Sequence, residues 1–176
     1  MRNRGLTDEA DPFFFSENDE MDYSADLYKL TYDFVRDYPP AQYPELLCKL
    51  ERPFTCLLID THKDYFICIP FRSNIRHDDA YMFRKSLRSR RTKSGLDYTK
   101  IVLVNDGKYL NSEDIYVDQD EYEEVRSNLP RIVDEAVGYV DGYIGHITGI
   151  SPLYAREFER RYRYSTLPYF HDIMGI

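Results

Sequence analysis

The chain has 176 residues, a formal net charge of −8 and 43% hydrophobic residues, which corresponds to one domain with a substantial core. It contains no apolar run long enough to span a bilayer, and its opening residues, MRNRGLTDEADPFFF, lack the pattern of a signal peptide. These features argue against a membrane or secreted protein and predict a cytoplasmic location.

The N-terminal segment is acidic. Residues 1–25 contain seven Asp and Glu residues against two arginines, and they show no hydrophobic periodicity. Such a composition buries too little apolar surface to fold, so we predict a disordered tail at 1–25 and a single folded domain at 26–176.

The first part of the domain is predicted to be rich in β-structure. A helix that includes Phe34 follows the first strand and ends at Pro39-Pro40. The second and third strands are apolar runs joined by a short polar turn, which indicates a β-hairpin. Cys56 and Cys68 lie in these runs, and we expect buried, inert thiols. The predicted strands are 27–31, 54–59, 65–70, 99–104 and 115–117, and the segment 80–91 is either a helix or a strand followed by a loop.

The last part of the domain is predicted to be helical. Asp118 has the position of an N-cap, apolar residues follow it at helical spacing, and Pro130 is expected to kink or split that helix. Ser151-Pro152 is typical of the start of another helix, and the apolar C-terminus, 167–176, is expected to pack back on the core. Because the predicted strands lie mainly in the first part of the domain and the predicted helices mainly in the last, we expect an α+β fold with a curled, mostly antiparallel sheet.

Basic residues concentrate in the middle of the chain. The segment 72–100 carries nine Lys and Arg residues against three Asp, although the whole chain is acidic. Because a polyanion binds where cations cluster, this segment is the candidate site for RNA. Within it, the strand ending at Pro70 leads directly into a loop of cationic and hydrogen-bonding side chains, where binding and catalytic residues often lie.

Two parts of this region carry a resemblance to a known family. Pro70-Phe71-Arg72-Ser73 at the end of the hairpin, and Gly95-Leu96-Asp97-Tyr98-Thr99-Lys100 further on, resemble the ToxN/AbiQ superfamily of type III toxin–antitoxin toxins, closest to the TenpN/CptN branch. The resemblance implies a barrel-like sheet similar to that of MazF/CcdB toxins, with added helices. It also implies a metal-independent endoribonuclease, without cofactor, that leaves a 2′,3′-cyclic phosphate and a 5′-hydroxyl.

The same resemblance implies partners and site residues. The expected inhibitor is a repeated small RNA antitoxin, cut into pseudoknots that assemble with the toxin into a hetero-oligomer, and the expected substrate is messenger RNA, with no DNA or membrane. Members of the ToxN type carry Thr-Ser-Pro-Lys in the loop after the strand, and here Arg72 falls on the Thr, Ser73 on the Ser and Ile75 on the Lys. The resemblance therefore implies that Arg76 or Lys100 takes over the function of the Lys.

Cleavage of RNA by its own 2′-OH requires a base for the 2′-proton, cations for the charged phosphorane and an acid for the leaving 5′-oxygen. Guanidinium groups suit the charged phosphorane, hydroxyl and amide groups can hold a phosphate oxygen, and imidazole or ammonium groups can transfer protons. The candidate catalytic residues are Arg72, Ser73, Arg76, His77 and Lys100, and the candidate RNA-binding residues are Asn74, Arg84, Lys85, Arg88, Arg90, Arg91, Lys93 and Tyr98.

Each of these assignments has a structural alternative. The alternatives are ion pairs of Arg72 and Arg76 with Asp78 and Asp79, a turn-capping role for Ser73, a surface position for His77, capping or pairing with Lys100 for Asp97, and a core position for Tyr98.

The function also has alternatives. A non-catalytic RNA-binding regulator would use the same basic segment and leave RNA intact. A MazF-like messenger-RNA interferase would have a protein antitoxin, and an open reading frame beside the gene, in place of tandem short repeats, would indicate it. A scaffold protein would use the acidic surfaces, and the basic segment gives that reading little support.

Overall fold

Seven strands form one sheet in which the strand pairs are antiparallel. The computed structural model of the chain describes residues 25–48 and 54–176. In chain order the strands are β1 (Ala25–Leu30), β2 (Thr55–Asp60), β3 (Phe66–Arg72), β4 (Ala80–Met82), β5 (Gly95–Asp97), β6 (Val102–Val104) and β7 (Leu110–Asn111). Their order across the sheet is β4-β5-β3-β2-β1-β7, with β6 beside β3. The predicted α+β fold with a mostly antiparallel sheet is confirmed, and the described strands leave this sheet open.

The hairpin of β2 and β3 lies at the centre of the sheet, as predicted from its two apolar runs. In its register, Cys56 of β2 lies opposite Pro70 of β3. The other edge of β3 is shared, because β6 pairs with its first half and β5 pairs with its last two residues, Phe71 and Arg72. Pro70 lies between these two pairings, where a residue without an N–H group can be accommodated inside a sheet.

The chain passes from β5 to β6 through a 3-10 turn, Tyr98–Lys100. The Asp97 carboxylate caps this turn by accepting the backbone N–H of Thr99 at 3.0 Å. The prediction of a strand over 99–104 is therefore wrong in its first half. Lys100 is buried in the turn and does not lie on an exposed face of a strand.

Among the described residues, six α-helices accompany the sheet. In chain order they are α1 (Tyr32–Asp37), α2 (Leu87–Thr92), α3 (Gln119–Ser127), α4 (Leu129–Ile147), α5 (Ala155–Tyr162) and α6 (His171–Met174). Asp118 caps α3, and Pro130 splits the long predicted helix because it occupies the first turn of α4, where its missing N–H is tolerated. The segment 80–91 begins as β4 and continues through a loop into α2.

Two predicted boundaries are wrong. The helix expected from Ser151-Pro152 begins later, because the N–H of Ser151 donates to the Gly145 carbonyl and the N–H of Leu153 donates to His146 Nδ1, which holds the connection extended. The strand expected at 115–117 is not formed, since the end of β1 pairs with β7 a few residues earlier.

The core lies where α4 and the C-terminal residues pack against the sheet. The helix buries Ile132, Ala136 and Val140, and the C-terminal segment buries Leu167 and Phe170, as predicted for 167–176. This packing removes apolar surface from water on both layers, which is the main stabilising contribution to such a fold.

Several remaining predictions concern the limits of the domain and its cysteines. The tail predicted at 1–25 lies outside the described residues, apart from Ala25 in β1. Cys48, Cys56 and Cys68 are buried free thiols, as expected. None of the helices within residues 25–48 and 54–176 combines the length and the apolar composition needed to cross a lipid bilayer.

Candidate functional site

A cleft of about 300 Å³ opens at the end of β3. Its walls are the loop after β3, the end of β5 with the 3-10 turn that follows, and the C-terminal end of α5. The candidate catalytic residues Arg72, Ser73, Arg76, His77 and Lys100 all line this cleft, although Lys100 is far from the others in sequence.

Asp97 is the central anion of the cleft, and only 2% of its side chain is exposed. Its Oδ1 atom accepts the Thr99 hydroxyl at 2.7 Å and the Thr99 backbone N–H at 3.0 Å. His77 Nε2 lies 3.3 Å from the same oxygen, and Arg72 Nη1 donates to Oδ2 at 3.1 Å. The structure therefore pairs Arg72 with Asp97, and not with the neighbouring carboxylates of the loop.

The Asp97 carboxylate remains ionised in spite of its burial. Desolvation raises the pKa of Asp97, but the hydrogen bonds from His77 and Thr99 and the charges of His77 and Arg72 outweigh it, so the pKa is lowered from its ordinary value. A permanent negative charge thus lies behind the exposed His77 ring at neutral pH.

Ser73 is held in place by a neighbouring guanidinium. Its Oγ atom accepts hydrogen bonds from Arg88 Nε at 3.2 Å and from Arg88 Nη2 at 3.0 Å. Arg88 Nη1 in turn lies 3.3 Å from Glu121 of α3, whose carboxylate is fully buried. Because the Ser73 oxygen acts as an acceptor in both contacts, its O–H group can donate to a ligand in the cleft.

Two buried carboxylates of α3 hold the basic segment against the body of the protein. Glu121 accepts the Ser86 hydroxyl at 2.9 Å, and Glu124 accepts the backbone N–H groups of Arg84 and Lys85, with distances of 3.1 Å to Oε2. Through these hydrogen bonds the two carboxylates fix the loop before α2. The side chains of Arg84 and Lys85 remain exposed.

Lys100 is a buried member of the cleft wall. Its ammonium group donates to Glu45 Oε2 at 2.5 Å and to the backbone carbonyl of Tyr164 at 2.7 Å. Two of its three N–H groups are therefore engaged inside the protein, and the residue joins the 3-10 turn to the segment that follows α5.

The five cations of the cleft differ in whether they have an intramolecular partner. Arg72 and Lys100 are paired as described, and Arg161 pairs with Asp79 at 3.1 Å. Arg76 and Arg160 are exposed and make no ion pair with any residue in the described ranges. The cleft therefore has two guanidinium groups that are available to an anion.

A second, open depression of about 700 Å³ adjoins the first and shares the loop that contains Asn74, Arg76 and His77. Its far side includes Arg91 and Lys93 from the end of α2. The loop is fixed to this helix end, because the N–H of Asn74 donates to the Thr92 carbonyl at 2.5 Å. The two depressions together form a continuous cationic surface across the loop.

The candidate RNA-binding residues fall into three groups: exposed residues, one residue that is paired inside the protein, and one that is buried. Asn74, in the loop after β3, is exposed. Arg84, Lys85, Arg90, Arg91 and Lys93 are exposed and have no ion pair with a described residue. Arg88 is instead engaged with Ser73 and Glu121, so it cannot bind RNA without losing its pairing with a buried carboxylate.

The assignment of Tyr98 to RNA binding is wrong. The residue is 4% exposed, and its hydroxyl donates to Glu135 Oε2 at 2.8 Å. Burial also raises the pKa of Tyr98 strongly. The structure instead agrees with the alternative drawn from the sequence, a core position for Tyr98.

Sequence reasoning missed the part of the cleft contributed by Glu45, Arg160, Arg161 and Tyr164. These residues lie far along the chain from the loop after β3. The only local signal was the run of arginines at the end of α5, and that run is also typical of a solvated helix face. Their approach to β3 results from the packing of the C-terminal segment on the 3-10 turn, where the N–H of Thr166 donates to the Thr99 carbonyl.

Comparison of the chain with protein-family models, curated proteins and solved structures finds no match. Among the described residues, no group of three or more His, Cys, Asp or Glu side chains is arranged to hold a metal ion. The geometry of the cleft is therefore the basis for a proposed function.

Proposed function

We propose that this chain is a metal-independent endoribonuclease that cleaves RNA through its 2′-OH and acts as a cytoplasmic toxin of a type III toxin–antitoxin system. The observation that carries the proposal is the pairing of His77 with Asp97 at the mouth of a cleft that also presents two unpaired guanidinium groups. A base next to cations that can hold a phosphate supplies two of the three functions that this reaction requires, and the Lys100 ammonium, which also lines the cleft, can supply the third by giving a proton to the leaving 5′-oxygen.

His77 is suited to take the proton from the 2′-OH. Nε2 of His77 lies 3.3 Å from Asp97 Oδ1 and 3.4 Å from the Thr99 hydroxyl oxygen, whose own proton is donated to Asp97. Both neighbours favour a proton on Nε2 and leave the lone pair of Nδ1 as the acceptor. The carboxylate also stabilises the imidazolium that forms when the ring takes the proton. Because the His77 ring is exposed, an RNA strand lying over the loop can reach it.

Arg76 and Arg160 are suited to hold the reacting phosphate. When the 2′-oxygen attacks phosphorus, negative charge accumulates on the non-bridging oxygens, and guanidinium groups can bind two of these oxygens at once. Ser73 can donate its hydroxyl to the same phosphate, since Arg88 holds its oxygen in place. Lys100 contributes positive charge from the wall of the cleft, with its ammonium fixed by Glu45.

The wider proposal includes the RNA partner. The exposed cations from Arg84 to Lys93 extend the cationic surface well beyond one phosphate, which favours a folded or extended RNA over a mononucleotide. The resemblance to the ToxN/AbiQ superfamily, closest to the TenpN/CptN branch, implies that this RNA is a repeated small antitoxin and that messenger RNA is the substrate. We include in this proposal that the sheet of this protein is related to the barrel-like sheet of MazF/CcdB toxins.

The test is an RNA cleavage assay with the purified protein in EDTA. The wild-type protein should give defined fragments, and His77→Ala should slow cleavage about 100- to 10,000-fold because it removes the general base. Arg76→Ala and Arg160→Ala should each slow it about 100-fold. His62→Ala, which changes a histidine in the β2–β3 turn outside the cleft, is the matched control and should cleave at the wild-type rate.

Three results would redirect the proposal. RNA that stays intact but co-migrates with the protein would identify a non-catalytic RNA-binding regulator. Cleavage that a co-expressed neighbouring protein suppresses would identify a MazF-like interferase with a protein antitoxin. Neither cleavage nor binding of RNA would contradict the proposal as a whole.

A further inference from the structure

We propose that Tyr164 is a stacking platform for an unpaired base next to the bound phosphate, so that the cleft takes single-stranded RNA. This inference rests on the proposed function, since it concerns the substrate of the same cleft. Tyr164 lies on the wall opposite the loop after β3, where sequence analysis predicted no site residue.

Tyr164 is unusual among the exposed apolar side chains. Eight large hydrophobic residues in the described ranges are exposed, and Tyr164, at 59%, is the one among them that lines the cleft. Its ring has no aromatic partner among the described residues, and the Arg163 guanidinium lies over one side of it, 5.2 Å from the ring centroid. An accessible π-face therefore lies beside the phosphate-binding guanidinium groups.

The backbone that carries this ring is fixed relative to the cleft. The backbone carbonyl of Tyr164 accepts the Lys100 ammonium at 2.7 Å. The next two residues, Ser165 and Thr166, are buried, and the N–H of Thr166 donates to the Thr99 carbonyl at 3.0 Å. The backbone at Tyr164 is thus hydrogen-bonded to the turn that follows Asp97, so a base that stacks on the ring need not order this segment of the chain.

An aromatic face beside cations recognises a nucleotide with an unstacked base. Every base has a π-face, so a tyrosine ring binds bases with little sequence preference, and it can do so only where the base is not paired inside a duplex. Arg160, on the preceding turn of the same segment, is placed to hold the phosphate that adjoins this base. The combination selects a single strand, or an unpaired loop of a folded RNA.

The experiment measures binding by fluorescence anisotropy with a labelled 2′-O-methyl RNA oligonucleotide, which cannot be cleaved. Tyr164→Ala should weaken binding of the single strand about five- to 150-fold, the range for one stacked base. Tyr164→Phe keeps the ring and should recover most of the affinity. Tyr154→Ala is the matched control, because Tyr154 is 87% exposed at the other end of α5 and does not line the cleft.

A duplex of the same sequence provides the second arm, and its binding should be the same for wild-type protein and Tyr164→Ala. Equal binding of the single strand by Tyr164→Ala and Tyr154→Ala would overturn the inference, even if the wild-type protein cleaves RNA. If binding depends on Tyr164 but the wild-type protein does not cleave unmodified RNA, the result would support the base site and contradict the nuclease. Binding of neither single strand nor duplex would overturn both.

Discussion

Replacement of Asp97 tests whether this buried carboxylate stabilises the cleft and the turn that follows it. In Asp97→Ala, the buried Thr99 N–H loses its acceptor, which costs about 1–3 kcal/mol. The pair with Arg72 adds only about 0–1 kcal/mol, because 30% of the Arg72 side chain is exposed and solvent screens the charge. We therefore expect the free energy of unfolding to fall by about 1–4 kcal/mol, or the Tm by roughly 2–16 °C for a domain of this size.

The assay is urea or thermal unfolding followed by circular dichroism. Asp97→Asn should cost less than Asp97→Ala, since the amide oxygen can still accept the Thr99 N–H. Asp78→Ala is the matched control, because Asp78 is exposed in the same loop and has no side-chain partner among the described residues. Equal stability of Asp97→Ala and Asp78→Ala would refute the reasoning.

The pH dependence of this effect has a definite sign. The folded-state pKa of Asp97 lies below the ordinary value of 3.8, so the ionised carboxylate stabilises the fold above that pH. This contribution is lost as the pH falls through the lowered folded-state pKa. The stability difference between wild-type protein and Asp97→Asn should therefore shrink as the pH falls from about 5 through the lowered folded-state pKa, and a difference that grew with acidity would contradict the assignment.

Three further predictions concern other parts of the molecule. Burial raises the pKa of Cys48 to about 12, and all three thiols are buried, so Ellman's reagent at about pH 8 should label none in the native protein and all three in denaturant. Glu121→Gln should lower the free energy of unfolding by about 1–3 kcal/mol and speed hydrogen exchange in the segment 84–94, whereas Glu123→Gln, exposed on the same helix, should do neither. Arg91→Ala should reduce the slope of log K against log salt for single-stranded RNA by about 0.7, and an unchanged slope would remove Arg91 from the RNA surface.

Local patterns predicted the parts of the fold that depend on neighbouring residues. Two apolar runs joined by a short polar turn predicted the central hairpin of β2 and β3, and Pro130 predicted the break between α3 and α4. The same reasoning identified the loop after β3 as the site of the candidate catalytic residues, because that loop follows a buried strand directly.

Tertiary contacts determined what the sequence could not predict. The sequence predicted Lys100 near the start of a strand. In the structure the Asp97 carboxylate caps a 3-10 turn at this point, and the Lys100 ammonium is buried against Glu45. Glu121 lies in the first turn of α3, where an acidic side chain is favoured by the helix dipole and is usually solvated. It is fully buried here because it accepts hydroxyl groups from residues more than 25 positions away in sequence.

The most direct test of the nuclease proposal is the identity of the 3′ ends that the protein leaves on an RNA substrate in EDTA. The proposal predicts 2′,3′-cyclic phosphates at defined positions, their loss when the nucleotide at the cut carries a 2′-deoxy sugar, and their loss in His77→Ala. Products with 3′-hydroxyl ends, or cuts that persist at the 2′-deoxy position, would contradict cleavage through the 2′-OH.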